Sequence, residues 1–236
     1  MDLDRLRAAF PERQILYFES LDSTMRVAAA SEPGTIVLAD RQLAGLGRQG
    51  HTWHSEPGHG IYCSIVLPPT PVLTLALGVA TIDAIAQAAG IQCDLRWPND
   101  LMLDNRKVAG ILVQLVNGSA IAGIGINVNH PGFPSDLAKE AISLRQHAGR
   151  ELSREDILIA LFPAIDSIVG EDSETILRLF THASSYAAGR RVTVQQPGGD
   201  ITGTTAGLDQ SGFLIVRKDD GTDTLILAGG VRASGS

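Results

Sequence analysis

Cysteine and basic charge are both scarce in this chain of 236 residues, and each shortage excludes a class of protein. The two cysteines, Cys63 and Cys93, form no CxxC pair, which argues against a disulfide framework and a structural zinc site. Cys63 stands in an apolar run, so we expect it to be buried in a strand. Acidic residues outnumber basic ones by 26 to 19, for a net charge of −7. A general nucleic-acid binder, which carries a basic excess, is therefore not expected.

Signals for export or membrane attachment are also missing from the sequence. The first six residues contain no basic region followed by an apolar core, so we do not expect a signal peptide. There is no run of five like charges that could act as a polybasic anchor. Residues 71–91 are apolar and about as long as a membrane span, but Asp83 and Gln87 interrupt them. We expect this segment to be the core helix of a soluble, cytoplasmic protein.

Apolar periodicity, β-branched runs and turn residues predict an α+β fold in the first 186 residues. Asp104-Asn105 and Asn117-Gly118 are the turn signals, and Asn-Gly is typical of a hairpin. A loop without helical or strand periodicity occupies residues 40–60, and long loops in compact domains are usually functional. Helices are predicted at residues 3–10, 25–30, 73–89, 154–169 and 174–185, and strands at 14–18, 35–39, 61–67, 93–97, 101–103, 107–116 and 120–128.

The composition changes after Gly189, where short β-rich runs alternate with glycine-containing turns. The runs lie at residues 190–195, 200–208, 212–217 and 223–227, and the turns at 197–199, 209–212 and 219–221. This pattern predicts a small all-β unit, a partly open SH3-like barrel. We therefore expect two domains, at residues 1–186 and 187–236.

Three glycines, Gly45, Gly47 and Gly50, form a GxGxxG string in the long loop. A dinucleotide-binding fold would need a helix starting here and an acidic residue about twenty positions on; neither follows, so that fold is rejected. The glycines can instead bring backbone N–H groups close to an anion, and Arg48 adds a planar cation suited to phosphate or carboxylate. The alternative is a solvated turn with a surface arginine.

The uncommon tetrapeptide Trp-Pro-Asn-Asp at residues 97–100 is a second candidate. Pro98 predicts a sharp bend, and Asn99 and Asp100 then offer oxygens at the start of a strand. A carboxylate beside a phosphate site is a natural Mg²⁺ ligand, and Lys107 could neutralise a phosphate. The alternative is a hairpin in which asparagine and aspartate are only turn residues.

A third candidate is the strand that ends in Gly-Ile-Gly-Ile-Asn-Val-Asn at residues 123–129. Its alternate polar residues, Asn127 and Asn129, face one side of the strand. Because asparagine is disfavoured in strands, two on one face indicate a polar site. The alternative is a strand that frays into a turn at residues 129–131.

Taken together and in order, these segments resemble the catalytic domain of biotin–protein ligases. That family has Ser-Thr-Asn, Gly-Arg-Gly-Arg, Lys-Trp-Pro-Asn-Asp, Lys-x-x-Gly-Ile-Leu and Gly-Ile-Gly-Ile-Asn motifs. The corresponding segments here are residues 23–25, 39–50, 96–100, 107–112 and 123–129. The resemblance covers residues 15–185, and the β-rich tail is similar to the family's small C-terminal domain. It implies a mixed β-sheet packed with helices, of the class II aminoacyl-tRNA synthetase and biotin ligase type.

The resemblance also implies an activity and its site. The enzyme would use ATP and Mg²⁺ to form biotinyl-5′-AMP and would pass the biotin to a lysine of the biotin carboxyl carrier domain of a carboxylase. Arg48 and Lys107 would be catalytic, holding the phosphate and the biotin carboxylate, and Asp100 would be a Mg²⁺ ligand. The implied biotin site is Ser23, Thr24, Gln42, Gly45, Gly47, Arg48, Lys107, Gly110 and Leu112. The implied nucleotide site is Arg48, Trp53, Asn99, Asp100, Lys107, Asn127 and Asn129.

The chain departs from the family motifs at two positions. Met25 replaces the asparagine after Ser-Thr, and Leu46 replaces the first arginine of the loop. Each change removes a polar partner worth about 1–3 kcal/mol where charge is involved, so affinity is in doubt more than the reaction. Arg96 in place of lysine keeps the charge.

Several alternatives stay open at this stage. A lipoate or octanoate ligase of the same fold is one, and a non-catalytic biotin- or adenylate-binding protein is another. About twenty residues precede Ser23, too few for a helix-turn-helix, so a DNA-binding repressor is not expected. An exposed edge strand near residues 107–128 could pair with a second copy or with the acceptor.

Overall fold

The computed structural model describes residues 1–196 and 198–234. Pro197 of the predicted turn at 197–199, and the last two residues of the predicted second domain, lie outside the described residues.

Seven strands of the N-terminal part form one mixed sheet, as the resemblance implies. The strands are β1 Ile15–Phe18, β2 Ile36–Ala39, β3 Gly60–Leu67, β4 Asp94–Arg96, β5 Asp100–Leu103, β6 Arg106–Val116 and β7 Ser119–Asn127. Their order across the sheet is β1-β2-β3-β7-β6-β5-β4. β1 runs parallel to β2, and the remaining pairs are antiparallel. Every strand predicted from the sequence in this region is present.

Tight turns fix the register of the central strands. Asp104 and Asn105 have φ values of 50° and 58°, and Asn117 and Gly118 have 51° and 83°. Positive φ at both central residues is the signature of the turn that matches the twist of a hairpin. These two-residue turns connect β5 to β6 and β6 to β7, so residues of the three strands stay aligned across the sheet.

Six helices accompany this sheet. They are α1 Leu3–Ala9, α2 Thr24–Ala28, α3 Leu73–Ala89, α4 Leu144–Ala148, α5 Arg154–Val169 and α6 Ser173–His182. α3 packs against both α5 and α6, and ten of its residues are buried, as expected of a helix that is apolar on most sides. Throughout the chain as described, helices fall short of the length and apolarity that crossing a membrane requires.

Two helical details differ from the sequence prediction. α6 ends at His182 rather than at residue 185, because the hydroxyl of Ser184 donates to the Leu95 carbonyl and that of Ser185 binds Asp94. Serine side chains compete with helix formation in this way. α4 was not predicted, although Ser143 and Gln146 form the capping box that marks its start, a signal that can be read from sequence.

The C-terminal residues form a separate five-stranded antiparallel sheet of the SH3-like kind. Its strands are β8 Ala188–Gln195, β9 Ile201–Leu208, β10 Leu214–Arg217, β11 Asp223–Ile226 and β12 Gly230–Ala233, in the order β11-β10-β9-β8-β12. β12 was not predicted, because Gly-Val-Arg-Ala shows little alternation. The indole of Trp97 donates to the Gly212 carbonyl at 2.8 Å, which links this sheet to the Trp-Pro-Asn-Asp segment.

The predicted edge strand near residues 107–128 is only partly an edge. β7 lies between β3 and β6, and β6 lies between β7 and β5. β5 pairs with β6 only from Arg106 to Gly110, however, while β7 pairs with it as far as Val116. Among the described strands, residues 112–116 of β6 therefore pair on one side only, and Leu115 there is 73% exposed.

Candidate active site

A cleft of about 840 Å³ lies where the long loop, the ends of β5 to β7 and the C-terminal sheet meet. Three predicted site residues, Ser23, Gly45 and Asn129, do not line it. The other predicted residues do, namely Thr24, Gln42, Gly47, Arg48, Trp53, Asn99, Asp100, Lys107, Gly110, Leu112 and Asn127. Strands β5 to β7, the long loop and the start of α2 thus bring most of the predicted set to one place.

Glycines on the sheet make room for the loop. A Cβ at Gly125 would lie 2.5 Å from the Trp53 indole, and one at Gly110 would lie 2.9 Å from both Trp53 and Lys107. Gly45 acts within the loop, because a Cβ there would come within 2.9 Å of the Trp53 carbonyl. The loop can therefore lie flat on β6 and β7 only because these positions have no side chain. In this structure, the missing side chains of Gly110 and Gly45 leave space for Trp53.

Asp100 sits between two cations at one wall of the cleft. Its Oδ2 accepts a hydrogen bond from Arg96 at 2.7 Å, and its Oδ1 lies 2.5 Å from the Lys107 ammonium. Burial alone would raise the pKa of Asp100, but Lys107 and Arg96 outweigh burial and hold that pKa below its ordinary value. The Lys107 ammonium also lies 5.3 Å from the centre of the Trp53 ring, within the range of a cation–π contact.

Both carboxylate oxygens of Asp100 contact cations in this structure, so the side chain holds Lys107 and Arg96 in place. Its role as a ligand of Mg²⁺, an ion that takes oxygen donors, stays a prediction.

Arg48 is held by the Trp-Pro-Asn-Asp segment. Its Nη1 donates to Asn99 Oδ1 at 2.8 Å, and Asn99 in turn donates to the Ile111 carbonyl at 2.9 Å. Burial lowers the pKa of Arg48 and nearby Asp100 opposes that effect, but a guanidinium remains charged in proteins. Asn99 therefore positions a permanent cation over the cleft. In the same segment, the peptide bond between Trp97 and Pro98 is cis.

Neutral polar groups line the other end of the cleft. Both the amide and the hydroxyl of Thr24 donate to Gln42 Oε1, at 2.9 and 3.1 Å. The Thr24 hydroxyl also meets the hydroxyl of Ser64 at 2.8 Å. Ser64 was missed by sequence reasoning; the one signal was a polar residue inside the apolar run of β3. The Ser23 hydroxyl, which does not line the cleft, is buried without a hydrogen-bond partner among the described residues.

The two departures from the family motifs lie beside this polar end. The sulfur of Met25 fills the space over Gly123, where a Cβ would meet it at 2.8 Å. Leu46 and Met25 both line the cleft. An apolar surface therefore occupies positions where the family motifs have an amide and a cation.

The two asparagines of the third motif are mainly structural in this conformation. Asn127 donates to the Ile142 carbonyl at 3.2 Å and still borders the cleft. Asn129 donates to the Leu152 carbonyl at 2.8 Å and accepts from the Leu152 amide at 2.9 Å. Because both ends of its amide are used, Asn129 fastens β7 to the start of α5.

Comparisons with known proteins agree with this fold. Residues 17–130 match the biotin/lipoate A/B protein ligase family, and residues 188–231 match the biotin protein ligase C-terminal domain. The chain is 32% identical over 230 residues to the bifunctional ligase/repressor BirA of Bacillus subtilis, covering 89% of this chain and 71% of the relative. It is 28% identical over 223 residues to a biotin–[acetyl-CoA-carboxylase] ligase of Mycobacterium tuberculosis, covering 89% and 82%.

A solved structure gives the same result. The Aquifex aeolicus biotin protein ligase in complex with biotin and ATP superposes with a TM-score of 0.85 at 29% identity, covering 94% of this chain and 99% of that one. The chain belongs to the biotin/lipoate A/B protein ligase family. Within it, the C-terminal domain match and the relatives above group the chain with the biotin–protein ligases rather than with the lipoate enzymes.

Proposed function

We propose that this chain activates biotin with ATP to biotinyl-5′-AMP and transfers the biotin to a lysine of a biotin carboxyl carrier domain. The observation that carries the proposal is the charge of the cleft. Six basic and two acidic side chains line it, although the whole chain carries a net charge of −7. Such a concentration of cations suits a site where a carboxylate must meet a triphosphate.

In the first step, a biotin carboxylate oxygen attacks the α-phosphorus of ATP and pyrophosphate leaves. Two anions must approach each other, so the step needs fixed positive charge that costs nothing to organise. Arg48, positioned by Asn99, and Lys107, positioned by Asp100, provide that charge from two sides of the cleft. The neutral groups of Thr24 and Gln42 suit the uncharged ureido ring of biotin.

In the second step, the amine of the acceptor lysine attacks the acyl carbon of the mixed anhydride, and AMP leaves with the bonding electron pair. The loop that contains Arg48 and Trp53 covers the cleft, which keeps water from the anhydride. No protein nucleophile is needed. A requirement for Mg²⁺, with Asp100 as its protein ligand, remains a proposal from the resemblance.

An octanoyltransferase of the same fold would need a nucleophilic cysteine, and neither thiol of this chain is suited. Cys63 borders the cleft, but complete burial raises the pKa of its thiol. Burial, with Asp104 and Asp94 nearby, raises the pKa of Cys93 to about 12. A thiol that stays protonated is a poor nucleophile, so the ligase chemistry is favoured over a cysteine-dependent acyl transfer.

The carrier domain and a second copy of the chain are proposed as protein partners. Residues 112–116 of β6 provide a strand edge for one of them, since unpaired edges readily accept another strand. Action in the cytoplasm is likewise a proposal that rests on the sequence.

A transfer assay tests the proposal directly. Purified protein, ATP, biotin and a carrier domain should give a streptavidin-reactive carrier, and a carrier with its acceptor lysine changed to arginine should give none. Lys107→Ala should abolish the signal, whereas Lys218→Ala, a lysine in the hairpin between β10 and β11, should not. A labelled carrier in the Lys107→Ala reaction, or none with the unchanged chain, would contradict the proposal.

A further inference from the structure

A second, smaller cavity lies on the outer side of the loop, beside the cleft. It is lined by His54 and Glu56 of the loop and by Phe133 and neighbouring residues that follow β7. His54, Glu56 and His130 each offer one ligand atom here, and these three atoms lie within 4.8 Å of one another. None of the three belongs to the family motifs or to the reaction described above.

The hydrogen bonds around His130 assign its protons. The Tyr62 hydroxyl donates its single proton to the Glu56 carbonyl at 3.0 Å. The same oxygen lies 3.2 Å from His130 Nε2, so it must accept there, and Nε2 carries the ring proton. His130 Nδ1 is then an unprotonated nitrogen with a free lone pair.

That nitrogen is buried, and it has no partner among the residues that the structure describes. His130 is 0% exposed, and its Nδ1 makes no hydrogen bond to any of those residues. Buried polar atoms are almost always satisfied, and an orphaned nitrogen on a ring that clusters with a second imidazole and a carboxylate points to a missing cation.

We propose that His54, Glu56 and His130 bind a divalent transition-metal ion of the zinc class. Two imidazole nitrogens and one carboxylate oxygen are ligands that such ions prefer, and three protein ligands leave a position open for water. Bound donors on a tetrahedral ion are roughly 3.3 Å apart, so atoms that lie within 4.8 Å of one another need to close by at most about 1.5 Å. His54 and Glu56 are partly exposed and lie on a loop, which gives them that freedom.

The Tyr62 hydroxyl contacts the ring of the proposed ligand His130. A metal-binding histidine usually donates its other N–H to an oxygen that fixes the ring, and the Tyr62 hydroxyl occupies that position for His130. Phe133 stacks on the His130 ring with centroids 5.1 Å apart and holds it further.

Metal binding would fasten the outer end of the loop. His54 follows Trp53 in the chain and lines both the cleft and the second cavity. A bound ion therefore connects this part of the loop to the segment after β7, and it limits how far the loop can open.

Titration with Zn²⁺ and with Co²⁺ alone, on untagged full-length protein, tests the site. We expect one equivalent of Zn²⁺ to bind, the visible d–d absorption of bound Co²⁺ to appear, and bound Zn²⁺ to slow proteolysis of the loop. His54→Gln and Glu56→Gln should each weaken Zn²⁺ binding at least about 10-fold and remove the proteolytic protection. Tyr62→Phe should weaken it about 10- to 100-fold.

His182→Gln, which changes an exposed histidine on α6, is the matched control and should bind like the unchanged protein. The proposal is overturned if the unchanged protein binds no stoichiometric Zn²⁺. It is equally overturned if His54→Gln and Glu56→Gln bind as tightly as the His182→Gln control, because the metal would then lie elsewhere.

Discussion

Replacing Gly125 with alanine tests how closely Trp53 packs on the sheet. The new Cβ would lie 2.5 Å from the indole, far inside the roughly 3.5–4.0 Å at which carbon atoms attract. Overpacking of this kind costs about 1–3 kcal/mol. The strand gains about 0.5–1 kcal/mol when alanine replaces glycine. We therefore expect Gly125→Ala to lower the free energy of unfolding by about 1–2 kcal/mol.

A double-mutant cycle with Trp53→Ala isolates this contact. The three atoms nearest to the Gly125 Cβ position all belong to Trp53, so the clash disappears in the Trp53→Ala background. There, Gly125→Ala should be neutral or stabilising by up to about 1 kcal/mol. The two substitutions should thus couple by about 1–3 kcal/mol.

Urea unfolding followed by far-ultraviolet circular dichroism measures all four proteins, provided that the m-value stays constant. Gly230→Ala is the matched control, because Gly230 is also in a strand but its Cβ position has no atom within 4 Å. That control should be neutral or slightly stabilising. Additive effects of Gly125→Ala and Trp53→Ala would refute the packing described here.

Three further predictions follow from the site. Asp100→Asn should lower the free energy of unfolding by about 1–3 kcal/mol. Because the folded-state pKa of Asp100 is below its unfolded value, the stabilisation by its charge is present above about pH 4 and is lost as the pH falls through the folded-state pKa. In urea titrations at acid pH, the difference in unfolding free energy between the variant and the unchanged protein should therefore become smaller. Asn129→Ala should cost about 1–3 kcal/mol in the same assay, since it leaves the backbone groups of Leu152 unpaired; an unchanged urea midpoint would show that these bonds do not form. Leu46→Arg should lower the KM for biotin about 10-fold by restoring a charged partner in the cleft. An unchanged or higher KM would contradict the placing of biotin beside Leu46.

Element positions could be predicted from the sequence where local signals agreed with the tertiary packing. The bounds of α3 and α5 match the predicted ranges, because continuous apolar periodicity and a following glycine mark both. The hairpins of β5 to β7 were predicted from their turn residues. The end of α6 was wrong, because Ser184 bonds to Leu95, a partner 89 residues away that no local pattern shows.

Most of the site residues predicted from the motifs do line the cleft, but the roles of single side chains could not be predicted. Pairing of Asp100 with Lys107 and Arg96 depends on the register between β4, β5 and β6. The pairing of Asn129 with Leu152 depends on where α5 begins. Such contacts decide whether a polar residue faces a ligand or another part of the chain, and they exist only once the strands are aligned.

In the proposed reaction, the charges of Lys107 and Arg48 activate biotin in the cleft. Biotin-dependent exchange of labelled pyrophosphate into ATP, with lipoate and octanoate in parallel, measures that half-reaction alone. We expect exchange with biotin only, its loss in Lys107→Ala, and its retention in Lys218→Ala. Exchange with lipoate in place of biotin, or no exchange with any of the three acids, would contradict it.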